Sequence, residues 1–386
     1  MLTRTHLYTS ESGWNPPLQP ALDSSSTLVL ALGSRSMESH PELFAELRRT
    51  FPLSTLAGCS TAGEIFGHTL HDESIVLAVA RFEHSQLSSS SVSADLDGLE
   101  AGRLLAEALP PDTLRAVLVL SDGSRVNGSR LVHGLEQHLP PGVVISGGFA
   151  GDGTRFESTW VLDEDVPTQG RIVVIGLHGP RLSVAHGSHG GWSRFGPERL
   201  VTRSENNVLF ELDGRPALQL YKEYLGERQR DLPSAALVFP LWVREANERT
   251  YVRTILAVDE ASQSMTFAGD IPMGAHVQLM RGNLDRIVEG AAEAARDLGA
   301  PSPALHARAS RAVPTEGTSL CLAVTCVGRR MVLRERTEEE LEAVVESLPT
   351  GTLQVGFYSY GEISPLTDGT CGLHNQTMTL TLVMES

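Results

Sequence analysis

Two segments of the chain share a frame whose residues could do chemistry. Gly58-Cys59-Ser60-Thr61-Ala62-Gly63-Glu64-Ile65 and Gly356-Phe357-Tyr358-Ser359-Tyr360-Gly361-Glu362-Ile363 both read G-x-x-x-x-G-E-I. The glycine spacing is that of a phosphate-binding loop, but such a loop places Lys after the second glycine to meet the phosphate. Glu64 and Glu362 stand there instead. A carboxylate repels that ligand, so nucleotide phosphate is excluded at both. The run SGGFAGDG at 146–153 orders its glycines G-x-x-G-x-G, not G-x-G-x-x-G, and Asp152 has the wrong charge for a pyrophosphate.

Cys59 and Ser60 offer a nucleophile for acyl transfer. A nucleophile elbow reads G-x-S-x-G, whereas Gly58 to Ala62 ends in alanine. No motif places any of the 13 histidines as a base. The simpler reading of Cys59 is a small buried residue beside a glycine turn. A hydrolase acting on an amide or amino acid, with Cys59 or Ser60 as nucleophile, stands as the alternative. Cys59, Cys321, Cys326 and Cys371 form no metal-ligand spacing, and Cys321 and Cys326 fall on opposite faces of a strand. No metal and no cofactor is expected.

The remaining reactive types suit binding. Arg35 lies in GSRS and Arg125 in SDGSR, both directly after strand patterns, and arginine meets carboxylates bidentately. Asp122, Ser60, Thr61, Gly147 and Gly148 share these loops, where glycine lets backbone approach a ligand and the polar groups supply hydrogen bonds. Glu64, Asp152 and Glu362 could hold an ammonium. Asp270, in a second FAGD at 267–270, and Tyr360 extend the style into the second half. Cations for a carboxylate and acids for an ammonium describe a site for an amino-acid-like small molecule.

Strands and helices must position these loops, and the patterns alternate accordingly. Thr27–Gly33 reads as a buried strand, Ser39-x-x-Glu42 as a capping box before helix 41–50, and Leu53–Ala57 as the strand entering the GCSTAGE loop. Ser74–Phe82 and Gln86–Ala94 read as strands and Asp97–Leu109 as a helix. Ala116–Leu120, a helix carrying Leu131, Leu135 and Leu139, and Val143–Ile145 form a parallel strand–helix–strand unit. In the second half Ser234–Val243 and Tyr251–Val258 read as a strand pair, Ser264–Asp270 carries FAGD, and Leu320–Val327, Leu353–Tyr358 and the end of the chain read as strands. Asn283 caps one helix, stopped by Gly299 and Pro301, and Thr337 opens another. In an open α/β sheet, ligands sit beyond the carboxyl ends of strands, where these loops lie.

Length and charge bound the rest. The 386 residues suggest two domains with mixed sheets flanked by helices, an α/β (α+β) fold: a flexible tail at 1–26, a first domain at 27–212 and a second at 213–386. The GEI and FAGD echoes leave open an old duplication relating the halves. A net charge of −16 disfavours nucleic acid and anionic membrane surfaces as partners. No apolar run approaches a membrane span, and the polar N-terminus does not read as a signal peptide, so a cytoplasmic location is expected. Lys222 is the only lysine beside many arginines, a coding bias that suggests a bacterium.

GCSTAGEI, SGGFAGDG, the DGRPALQLYKEYLG junction, FAGDIPMG and GFYSYGEISPL followed by HNQTMTL together resemble the FIST (F-box and intracellular signal transduction) family, an N domain followed by a C domain. The resemblance covers nearly the whole chain from about residue 27. It implies a sensory module that binds a small ligand such as an amino acid and passes its state to a separate signalling protein of kinase or receptor type. Because the resemblance falls on HNQT, His374 and Asn375 join the expected ligand contacts. A scaffold for a protein partner is a further alternative.

Overall fold

The computed structural model describes residues 1–163, 165–232, 234–298, 316–366 and 368–386. Three of its four sheets are mixed and its helices pack outside them, as an α/β fold requires. The expected helix stop at Gly299 and Pro301 lies outside the described residues.

Three units of one design repeat around a common centre. Each has a first strand, a helix, a second strand parallel to the first, a short strand, and a last strand antiparallel to the first. In the first unit these are Thr27–Ser34, Pro41–Thr50, Thr55–Thr61, Glu64–Phe66 and Ile75–Arg81. The second has Leu114–Ser121, Gly128–His138, Val144–Phe149, Val161–Asp163 and Arg171–His178. The third has Ser319–Cys326, the helices Val327–Leu333 and Thr337–Ser347, then Thr352–Ser359, Gly361–Pro365 and Met378–Glu385. The first strands are near-continuous apolar runs, as befits strands buried on both faces.

No unit completes its own sheet. The short strand at Glu64 pairs with Val355–Phe357 of the third unit, and the short strand at Glu362 pairs with Gly147–Phe149 of the second. Val161 of the second pairs with Cys59 of the first, which closes the cycle. The connecting strands follow the same rule. Gln86–Ser93 leaves the first unit to edge the second, and Leu182–His189 leaves the second to edge the third. Leu2–Thr9 takes the matching place beside the first unit. Alternate side chains of the three first strands, Leu28, Leu30 and Leu32 with Ala116, Leu118, Leu120, Leu320, Leu322 and Val324, meet in one central core. Their opposite faces pack under helices, as Phe44 and Leu47 do over Val29 and Ala31.

Residues 193–281 form a separate body inserted between the second and third units. It has an eight-stranded antiparallel sheet, the helix Ala217–Leu225 and its own core around Tyr221, Leu241 and Phe267. Helix Leu284–Arg296 then returns the chain to the third unit, capped by Asn283, whose side chain accepts from Arg286 N–H at 3.2 Å.

Several expectations change here. Residues 2–9 are a strand paired along its length with Ile75–Arg81, and Thr3, Thr5 and His6 are buried, so the N-terminus is no loose tail. A polar sequence concealed this, because what holds the strand is backbone pairing. A division at 212/213 cuts through the inserted body and separates strands of one sheet. The duplication suggested by the GEI echo is a threefold repeat in which the second unit lacks that motif. Cys59–Thr61 and Glu64–Phe66, expected as loop, are buried strand. Of Ser234–Val243 only Leu241–Val243 is strand, within Leu241–Arg244, and a 3-10 turn spans Ser234–Val238. Helix Pro41–Thr50 opens without a side-chain cap; Pro41, with no N–H to satisfy, takes its first turn.

Because three of the four sheets draw their main strands from both halves, fragments 1–212 and 213–386 expressed separately are expected to give no cooperative melting transition by circular dichroism. Mixing them during refolding is expected to restore one.

Candidate functional site

The conspicuous carboxylates come first. Glu64 and Glu362 occupy matching positions, each on a short strand laid across the neighbouring unit. Thr61 Oγ1 donates to one oxygen of Glu64, and Ser74 donates to the other through N–H (3.3 Å) and Oγ (2.8 Å). Glu362 repeats the pattern with Ser359 Oγ (2.8 Å), Thr377 N–H (3.3 Å) and Thr377 Oγ1 (2.9 Å). Both side chains are fully buried, and loss of water pushes each up to about 8, against the pull of those donors. They are largely protonated at pH 7 and line neither the cavity of about 300 Å³ nor that of about 280 Å³ described below, so neither is placed to hold a ligand ammonium there. In the second unit Val161 stands where they stand, opposite Cys59.

The other expected residues separate in the same way. Cys59 is enclosed in the central core and burial pushes its thiol up, while Ser60 is buried with Oγ accepting from Trp160 N–H at 3.0 Å. Neither is accessible, so the hydrolase alternative loses its nucleophile. Gly147 and Gly148 serve strand packing: a Cβ on Gly147 would come 2.0 Å from the Val119 carbonyl oxygen, and one on Gly148 would come 2.7 Å from Val324. His374 donates from Nε2 to the Ser364 carbonyl at 3.0 Å, and burial pushes it down to about 4. Asn375 accepts weakly from Thr254 N–H at 3.4 Å, tying the HNQT turn to the inserted body.

One corner of the cycle is open. A cavity of about 300 Å³ lies between the second unit and the inserted body. Residues 123–128, between a first strand and its helix, form one wall. Phe149, Phe156 and Tyr360 form another, and Asn207, Leu256 and Phe267–Gly269 close it from the insertion. The two FAGD echoes therefore meet at this cavity. Asp122 shapes the first wall without facing the space: its Oδ1 accepts from Ser124 N–H (2.9 Å) and Arg125 N–H (3.0 Å), and its Oδ2 from Gly170 N–H (3.1 Å). Asp152 organises the second wall, accepting from the N–H groups of Phe156, Glu157 and Ser158 and from the Tyr360 hydroxyl. Burial works against its charge, but these donors together hold it below the usual carboxylate range. Asp270 accepts from Asn127 Nδ2 at 2.9 Å and lines an adjacent cavity of about 280 Å³ on the far side of this contact.

Arg125 is the single charged residue among those lining the 300 Å³ cavity. Each unit has an arginine in the segment after its first strand. Arg35 donates from Nε to Ser158 Oγ at 2.9 Å and pairs with Glu38 at 3.0 Å. Arg330 donates to the Ala62 carbonyl at 2.6 Å and pairs with Asp72 at 2.6 Å. Among the described residues Arg125 has only a loose, exposed pairing with Asp95 at 3.5 Å, and its guanidinium lies beside Gly170. Two corners are sealed by their arginines, and at the third Arg125 lines the cavity while its guanidinium lies toward Asp95 and Gly170 at the rim. Beside it Asn127 caps helix Gly128–His138, its side chain accepting from Arg130 N–H at 3.1 Å. The Asn-Gly pair before a helical pattern was the available sequence signal for this wall. Phe156, Asn207 and Leu256 carried no signal, because tertiary packing alone brings them there.

A two-body α/β protein with a pocket at the junction is the class this geometry defines. The FIST N domain matches residues 27–215 and the FIST C domain residues 217–365. The chain therefore belongs to the FIST family, whose domains are associated with signal transduction. It is similar to an uncharacterized protein of Mycobacterium tuberculosis, 27% identical over 372 residues that span 93% of this chain and 91% of that one. A Mycobacterium bovis protein, also uncharacterized, is 25% identical over 370 residues, with the same coverage. An uncharacterized protein of Methanocaldococcus jannaschii is 25% identical over 277 residues, 64% of this chain and 52% of that one. No described helix is long and apolar enough to cross a membrane.

The buried carboxyls have a measurable signature. Their folded pKa of about 8 exceeds the unfolded value, so the folded state binds more protons between about pH 4.5 and 8. Stability is fullest below that window and falls through it by roughly 1.4 kcal/mol per pH unit for each group. In the double variant Glu64→Gln/Glu362→Gln this component is expected to vanish. Urea unfolding at pH 5 and pH 8 is expected to show the variant gaining several kcal/mol on the wild type at the higher pH.

Proposed function

We propose that this protein is a sensory module that binds a small carboxylate-bearing, amino-acid-like molecule in the cavity between its second unit and its inserted body. The observation that carries the reading is the difference among the three corners: two arginines are spent on protein acceptors, while Arg125, held only by an exposed 3.5 Å pairing with Asp95, lines a cavity with no acidic side chain on its lining. Arginine binds a carboxylate in two parallel hydrogen bonds, and the adjacent start of helix Gly128–His138 adds a favourable dipole. The rest of the lining mixes apolar side chains such as Phe149, Phe156 and Leu256 with the polar Ser124, Asn127 and Asn207, and the volume is at the lower end for small-molecule sites. The ligand is recognised through its acid end and its body. An ammonium is tolerated rather than paired there, since Glu64 and Glu362 are enclosed elsewhere and Asp152 is spent on its own loop.

Occupancy would report itself through the two walls, which belong to different bodies. Contacts joining them beside the cavity include Asn127 to Asp270, Ser129 Oγ accepting from Asp270 N–H at 3.1 Å, and Arg253 donating to the Leu373 carbonyl at 2.9 Å. A ligand touching both bodies adds to these contacts and biases their arrangement. A separate signalling protein, of kinase or receptor type, would read that arrangement.

A thermal-shift screen of small carboxylic acids and amino acids tests the reading. Binders are expected to raise the melting temperature in proportion to RT ln(1 + [L]/Kd). Arg125→Ala, at an exposed side chain, is expected to abolish the shift, whereas Glu64→Gln leaves it intact. A screen in which no acid stabilises the protein, or in which Arg125→Ala responds like the wild type, overturns it.

A further inference from the structure

The 300 Å³ cavity has an unsatisfied apolar mouth. Phe156 stacks one ring face on Tyr360, with centroids 4.5 Å apart and planes 19° apart, and remains 48% exposed. Leu256, on the inserted body, is 49% exposed and lines the same cavity. Large apolar side chains this exposed are few in the described chain, and these two come from different bodies to one mouth.

Phe156 is held there deliberately by its backbone. Its φ of +57° is a conformation that bulky residues seldom adopt. Two hydrogen bonds fix it, since Phe156 N–H meets Asp152 Oδ1 at 2.8 Å and the Tyr360 hydroxyl at 3.1 Å. The loop that carries it, residues 150–160, runs from Phe149 to Val161. In the first and third units the corresponding step, from Ser60 to Glu64 and from Tyr358 to Glu362, takes only a few residues. The open corner is therefore also the one with the longer loop, and that loop presents an aromatic ring.

Resting on the proposed carboxylate site, we infer that the ligand is an aryl carboxylate: its acid group on Arg125 and its planar ring against Phe156, with Leu256 closing from the other body. A ring in this place extends the Phe156–Tyr360 stack, and the offset-stacked geometry favours a flat π-system over a saturated ring of equal size. Phe156 is then the residue that sets specificity for the ligand's body, while Arg125 secures its acid.

The test compares benzoate, 3-phenylpropionate, cyclohexanecarboxylate and hexanoate on the full chain by calorimetry, with Phe156→Leu and Phe156→Ala as variants. Aryl acids are expected to bind the wild type on the order of 3–10-fold more tightly than the saturated ring acid. Phe156→Leu is expected to remove that preference while hexanoate binding persists. Equal binding of flat and saturated rings, or aryl preference unchanged in both variants, overturns the inference and leaves the carboxylate site standing. Failure of every acid to bind the wild type overturns the site itself.

Discussion

A close crossing of backbones near the centre of the cycle governs the whole molecule. Gly58, Gly147 and Gly356 stand at matching positions of the second strands. A Cβ on each would lie 2.0, 2.0 and 1.9 Å from the carbonyl oxygen of Ala31, Val119 and Ala323 on the adjacent first strand. Only glycine permits that approach. Four residues further on, the chain passes to its neighbour: Ala62 N–H donates to the Tyr358 carbonyl (2.7 Å), Tyr360 N–H to Phe149 (3.1 Å) and Gly151 N–H to Ser60 (2.9 Å). These three bonds form a ring, and the short strands beyond them complete the three sheets. An equivalent bond recurs at the ends of the first strands, from Ser34, Asp122 and Cys326 to the carbonyls of Ser74, Arg171 and Thr377.

The ring explains why two corners carry buried carboxyls and one does not. Where the short strand follows at once, the turn leaves donors from Thr61 and Ser74, or from Ser359 and Thr377, pointing into a closed space. A protonated glutamic acid fills it with two oxygens. Where the chain instead detours through residues 150–160, the strand arrives with Val161 and the polar turn is replaced by the loop that walls the cavity. Closure by a neutral acid and opening by a longer loop are alternative ways of finishing one corner. The inserted body covers the open one.

How much of this was legible in the sequence follows from what kind of signal each part carries. Apolar runs such as TLVLALG and the helical spacing of Leu131, Leu135 and Leu139 announce their elements locally, and the structure has them. The GEI echo was visible because both copies keep their glycines and acid; the third member of the set was not, since Val161 shares no letter with them. Small polar residues such as Cys59-Ser60-Thr61 look like a loop, yet here they are strand, because buried pairing needs little bulk at a crossing. For the same reason the listless polarity of residues 2–9 concealed a paired strand. Of the expected ligand contacts, Arg125 and Tyr360 line the cavity, whereas Glu64, Glu362, His374 and Asn375 keep the architecture together. Charge and hydrogen-bonding capacity read alike in a sequence whether they serve a ligand or the chain itself.

The cyclic pairing also has a consequence for how the chain is made. The short strand Glu64–Phe66 has its partner in Val355–Phe357. That partner is synthesised roughly 290 residues later, a delay of about 15–60 s at ordinary ribosomal rates. Through that interval the edge of the first sheet and the apolar faces of Leu28 and Leu30 lack their final cover. Contacts so distant in sequence make for slow closure. A nascent chain of this design has reason to depend on a holding chaperone until its last seventy or so residues emerge, and to be most aggregation-prone just before they do.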